Sequence, residues 1–145
     1  MKTLYIILIG MTLSLTAANA QSHEKVVTVF LYNFAINGQW EPKPGQSEFI
    51  IGVLDRGSIS KELQSLAATK TVGTQKIKIV EFSSAADVSD CHILFIPESK
   101  SSTLSSVAPK LGSSSTLIVT EKEGDWLRVL VPRTEILAWM AVRPL

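Results

Sequence analysis

The chain has 145 residues, with 14 Lys and Arg against 13 Asp and Glu and a formal net charge of +1. That balance leaves no electrostatic footprint for nucleic acid or for an acidic surface. At 46% hydrophobic residues the chain can bury one core, and it is too short for two domains of ordinary size.

The first segment reads as a leader. Lys2, the almost wholly apolar run from Leu4 to Leu15, and Ala18-Asn19-Ala20 supply the charge, short greasy core and small-residue site of a secretory signal. The run falls short of the roughly 20 apolar residues that a bilayer span needs. Residues 1–20 are therefore expected to be a signal peptide cleaved after Ala20, leaving a soluble periplasmic chain with one domain over 21–124.

The mature chain opens on Val27, Phe30, Leu31 and Phe34, spaced i, i+3, i+4, i+7 as on one face of a helix. Its β-branched run Val26-Val27-Thr28-Val29 also fits a strand. Asn37-Gly38 should end the element. Tyr32, Asn33 and Trp40 are candidates for a partner surface, although helical spacing equally suits aromatic side chains to a core. "EFIIGVL" (Glu48–Leu54) is a continuous apolar run, the pattern of a strand covered on both faces. A helix should follow, capped by Ser58 and burying Ile59, Leu63 and Leu66.

"KIKIVEF" (Lys76–Phe82) alternates, so it reads as a strand with one wetter face, suited to a sheet edge. Ser84–Ser89 should form a short helical turn. "HILFIP" (His92–Pro97) is a second buried strand, and Ser99–Leu111 a weak helix that Pro109 interrupts unless it packs near an end. "STLIVTE" (Ser115–Glu121) is the last clear strand. Strands alternating with short helices predict a single α/β domain with a mainly parallel sheet and flanking helices, its carboxyl-terminal strand and helix atypical or missing.

Cys91 is the only cysteine and one of the two histidines follows it. One thiol closes no disulfide within a chain, so Cys91 is a buried apolar residue, a reactive thiol or half of an intermolecular bridge. A Cys–His catalytic pair needs thiolate and imidazole side by side. Adjacent strand residues point to opposite faces instead, so the pair is expected to mark a strand with Cys91 buried. Zinc would need three or four ligands, and His23 is the only other imidazole. No G-x-S-x-G elbow, P-loop or G-x-G-x-x-G is present. We therefore assign no catalytic, cofactor-binding or metal-binding residue, expect no cofactor, and do not read the chain as an enzyme.

"FLYNFAINGQW" (Phe30–Trp40), "IIGVLDRGSISKELQSLAATKTVGTQKIKI" (Ile50–Ile79) and "CHILFIPESKSS" (Cys91–Ser102) together resemble the YfiR-like family, most closely its Bacteroidetes-type members. The correspondence runs in order from about Val26 to Gly124. It implies a periplasmic protein that docks on the periplasmic part of a membrane signalling protein such as a diguanylate cyclase, lowering cyclic-di-GMP output and biofilm formation. A soluble ligand-binding sensor and a homodimer are also compatible with it. The family commonly carries further cysteines; only Cys91 matches one here, which excludes disulfide redox sensing within one chain. Proline arrives one place late, at Pro42. After Gly124 the family's turn and following strand are not recognisable. Residues 125–145 then read either as a divergent tail, with a strand over 126–131, or as the product of a frameshift.

Overall fold

A computed structural model describes residues 23–40, 45–112, 114–122 and 126–130. Residues 1–20, expected to be a signal peptide, and the tail beyond residue 130 lie outside them. The first helix, α1, covers residues 23–37. Its β-branched run is helical because Val27, Thr28, Leu31 and Ala35 are all buried on one face. Burial of Val and Leu side chains contributes about 1.5–3 kcal/mol each, which outweighs helix-propensity losses of less than about 0.7 kcal/mol per residue.

The helix ends where the sequence places its end, and Trp40 helps to end it. The Gly38 N–H donates to Phe34 O at 2.9 Å, and the Trp40 Nε1–H donates to Ala35 O at 2.7 Å. Both satisfy carbonyls that a helix terminus leaves without partners. A Cβ on Gly38 would lie 2.8 Å from Phe34 O and 2.7 Å from Trp40 Cζ2, so the fold-back requires glycine.

Next come β1 (Glu48–Val53), α2 (Ser58–Ala67), β2 (Thr71–Val72), β3 (Gln75–Glu81) and β4 (Ile93–Ile96). A 3-10 helix (Glu98–Thr103), α3 (Leu104–Lys110), β5 (Leu117–Lys122) and β6 (Trp126–Leu130) complete the described chain. The strands form one six-stranded sheet in the order β2-β3-β1-β4-β5-β6. Pairing is parallel across β3, β1, β4 and β5, and antiparallel at both edges, where β2 joins β3 and β6 joins β5. The α/β class of the sequence reading stands. Its mainly parallel sheet is met in part: the four central strands are parallel, but the whole sheet is mixed, because β2 returns through a tight turn at Gly73 (φ 57°) and β6 pairs antiparallel with β5.

Two apolar clusters sandwich the sheet. On the first face α1 and α2 bring Val27, Leu31, Ile59 and Leu63 against Phe49, Ile51, Val53, Ile93 and Phe95. On the second face Val107 of α3 and Leu111 just after it, with Phe82, Val88 and Cys91 of the β3–β4 connection, cover Leu94, Ile96 and Ile118. Strands β1 and β4 are thus covered on both faces, which accounts for their continuous apolar runs. β3 is not an edge strand, but only the two residues of β2 lie outside it.

Two local expectations are corrected. Ser58 does not cap α2: Gly57 takes the cap position, and the Ser58 hydroxyl donates to Glu24 Oε1 instead. Ser84–Ser89 holds the single short turn expected of it, closed by Asp87 N–H to Ser84 O and by the Ser84 hydroxyl to Asp87 Oδ2. The Ser99–Leu111 segment begins as a 3-10 helix, within which the Thr103 hydroxyl bonds back to Lys100 O; Ser105 and Ser106 bond back three residues in the α-helix that follows. Such hydroxyls compete with the α-helical ladder.

Gly52 in β1 marks the tightest approach on the second face. A Cβ there would stand 2.6 Å from Phe82 Cε2, 3.2 Å from Leu94 Cδ1 and 3.3 Å from Cys91 Sγ. Gly52→Ala is expected to lower stability by about 1–3 kcal/mol through overpacking, read as a lower urea midpoint at unchanged slope. On the other face, Thr28 Oγ1 is buried with no hydrogen-bond partner among the described residues. Thr28→Val should raise the unfolding free energy by about 1 kcal/mol, read as a higher urea midpoint, because an orphan hydroxyl is exchanged for a methyl of similar shape.

Candidate functional site

Cys91 and His92 enter β4 from a bend, and their side chains separate there. Cys91 is fully buried on the second face, packed with Phe82, Val88 and Leu94. His92, 3% exposed, lies on the first face, stacked on Phe49 with ring centroids 4.4 Å apart and edge-on to Trp40 at 6.1 Å. The sheet therefore separates thiol from imidazole, which is the wrong geometry for a nucleophile and its base.

The imidazole completes the sheet instead. Its Nδ1 accepts the Ile50 N–H at 2.9 Å, so the ring is the neutral tautomer protonated on Nε2. The His92 backbone N–H returns a bond to Ile50 O at 2.9 Å, and His92 O accepts the Leu117 N–H at 2.8 Å. One residue thus ties β1 to β5 immediately before β4 begins. Next to it, the Thr116 hydroxyl donates to Cys91 O at 2.6 Å.

At the opposite end of the sheet, the strand order reverses direction between β1 and β4. The helix after β1 packs on the first face and the helix after β4 on the second. In open α/β sheets the crevice at such a reversal, beyond the carboxyl ends of the strands, is the usual place for a ligand. Here the side chains just past those strand ends are polar. Asp55 Oδ1 accepts the Arg56 N–H at 2.7 Å, and Glu24 accepts the Ser58 hydroxyl. Glu121 uses both oxygens, one on His23 Nε2 at 2.9 Å and one on the Glu98 N–H at 3.1 Å. The first turn of α1 is thereby fastened across this edge. Among the described residues no group of three or more His, Cys, Asp or Glu is arranged to hold a metal ion.

The three residues taken from the sequence for a partner surface do not share one environment. Trp40 is half-buried, edge-on to Phe49 at 5.0 Å. Tyr32 is half-buried, and its hydroxyl donates to Thr71 O at 3.4 Å, bridging α1 to β2. Asn33 is exposed on the outer side of α1. Sequence reasoning missed Val29 and Ile36, which are 55% and 46% exposed on that same side. Their signal was spacing: they fall opposite the buried positions 27, 31 and 35. It also missed these polar side chains, whose only signal is position just past the strand ends.

These features define a small mixed α/β domain whose one thiol–imidazole neighbourhood is structural. The model of the YfiR/HmsC-like family, DUF4154, matches residues 24–128, most of the chain, and the chain belongs to that family, which is regulatory rather than catalytic. No curated protein and no solved structure matches the chain. Among the described residues no helix is long and apolar enough to cross a membrane.

His92→Phe should keep the stacking on Phe49 and Trp40 while leaving the Ile50 N–H without its acceptor. The expected loss is about 1–3 kcal/mol of unfolding free energy, measured by urea titration. Hydrogen exchange of the Ile50 amide should accelerate more than that of amides in β3. An unchanged midpoint would show that the imidazole is not needed as an acceptor.

Proposed function

We propose that the protein is a periplasmic regulator that acts by docking on the periplasmic part of a membrane signalling protein such as a diguanylate cyclase, with the consequence of lower cyclic-di-GMP output. The observation that carries this reading is the family match over residues 24–128. The use of Cys91 and His92 in packing and sheet closure supports contact rather than catalysis as the mode of action. Regulation of this kind is a coupling free energy: docking favours the inactive receptor state, and a signal weakens docking to that state selectively. Residues 1–20 serve as the export signal in this reading. The pairing of β6 along β5 from Ile118–Leu130 to Lys122–Trp126 supports a genuine tail over a frameshift.

A second reading, a soluble sensor that binds a small ligand, is favoured by one observation, the reversal of strand order between β1 and β4, where open α/β sheets usually place a ligand. The two readings separate on partner dependence: a docking regulator needs a membrane receptor to act, whereas a sensor binds its ligand alone.

Deleting the gene in the native host should raise cellular cyclic-di-GMP and surface attachment, with complementation by the exported protein restoring both. Intact-mass measurement of the periplasmic protein should give a chain beginning at Gln21 and ending at Leu145. Unchanged cyclic-di-GMP together with no membrane protein recovered by crosslinking in intact cells would count decisively against the regulator.

A further inference from the structure

The asparagine–glycine pair that ends α1 carries a chemistry that neither the fold nor the proposed regulation uses. Asn37-Gly38 is the chain's one Asn-Gly sequence, and Asn19 and Asn33 are its other asparagines. An asparagine side-chain amide is open to attack by the backbone nitrogen of the next residue, and a glycine there leaves that nitrogen unhindered. The Gly38 nitrogen bonds to Cγ of Asn37, the Cγ–Nδ2 bond breaks, and Nδ2 leaves as ammonia. Water then opens the five-membered imide at either carbonyl, giving aspartate or isoaspartate. Only water is consumed. Asn33 lies in the body of the helix and is followed by Phe34, whose bulk crowds the same approach.

The folded helix end engages both partners of this reaction. The Asn37 Nδ2–H donates to Asn33 O at 2.8 Å, which turns the side chain back along the helix. The Gly38 N–H donates to Phe34 O at 2.9 Å. Both residues are exposed, so water and base reach them once the last turn opens. Helix ends are where such opening costs least. We propose that Asn37 is a spontaneous modification site gated by fraying of the last turn of α1, and that its conversion releases Trp40 from the first face. A carboxylate at position 37 cannot donate to Asn33 O, and it sets a negative charge at the carboxyl end of the helix, where the dipole opposes it. Isoaspartate adds one methylene to the main chain ahead of Gly38, which moves the Gly38 N–H off Phe34 O. Trp40 packs so close to Gly38 that a Cβ there would sit 2.7 Å from its Cζ2. Its indole bond to Ala35 O and its edge contacts with Phe49 and His92 depend on that turn. The conversion is one-way, and it is independent of which receptor the protein serves.

Incubating the purified protein in mildly alkaline buffer, folded and in urea, tests it, with deamidation at each asparagine read by peptide mass. In urea Asn37 should convert well ahead of Asn33. In the folded chain its rate should fall about tenfold, as two closed hydrogen bonds imply. Trp40→Phe keeps an aromatic ring and loses the indole donor; it should convert about fivefold faster than the folded wild type, the factor for one lost hydrogen bond. Gly52→Ala, which loosens the opposite face, should convert at the wild-type rate while it remains folded. Converted protein, separated by its added negative charge, should unfold with an equilibrium constant about tenfold above the parent's. Equal rates in folded and unfolded wild type would overturn the proposal, since no gate would exist. So would a Trp40→Phe rate no higher than that of Gly52→Ala, which would leave the last turn without a part in the gate. Converted protein with the parent's urea midpoint would overturn it too, because Trp40 would then have kept its place.

Discussion

The parallel pairing of β1 with β4 is the constraint on which the rest of the domain depends. Both strands are covered on two faces, so neither tolerates a polar side chain in its middle, and neither can slip by one residue without exchanging two complete apolar sets. Their register, Ile51 against Ile93 through Val53 against Phe95, is short. It is secured at one end by the reciprocal bonds between His92 and Ile50, and at the other by the Leu54 N–H donating to Phe95 O at 2.9 Å. With this pair fixed, β3 and β5 add outward in opposite directions and the helices take opposite faces.

The same arrangement explains why the domain manages with a single cysteine. Many small exported domains compensate a thin core with disulfides. Here a core on each side of the sheet supplies the cohesion, with Phe49, Leu31 and Leu63 on one side and Leu54, Leu94 and Val107 on the other. The thiol is simply one of the smaller apolar groups on the second side, sized to the gap that Gly52 leaves.

What was legible in the sequence was what depends on burial. β1, β4 and β5 announce themselves as apolar runs, α1 and α2 by their spacing, and Asn37-Gly38 by the need for a helix to stop. What escaped depends on single hydrogen bonds and short pairings. β2 is two residues long and has no periodicity to read. In the 3-10 helix the Thr103 hydroxyl bonds back to Lys100 O, a contact with no signature in the sequence pattern. Trp40 reads as an aromatic on offer to a partner, yet its indole N–H is spent on the end of its own helix. Opposed directions of Cys91 and His92 followed from strand geometry alone; the role of the imidazole as a backbone acceptor did not, because it depends on a residue 42 positions away.

The seat of Cys91 has a practical consequence. Its sulfur is fully enclosed beneath Phe82 and Leu94, so a thiol reagent reaches it only when the second side of the sheet comes apart. The chain thus contains a natural clock for its own opening: the rate at which a maleimide or a disulfide dye couples to it measures how often that layer lifts from the strands. No engineered probe is required, and no other sulfhydryl competes for the signal.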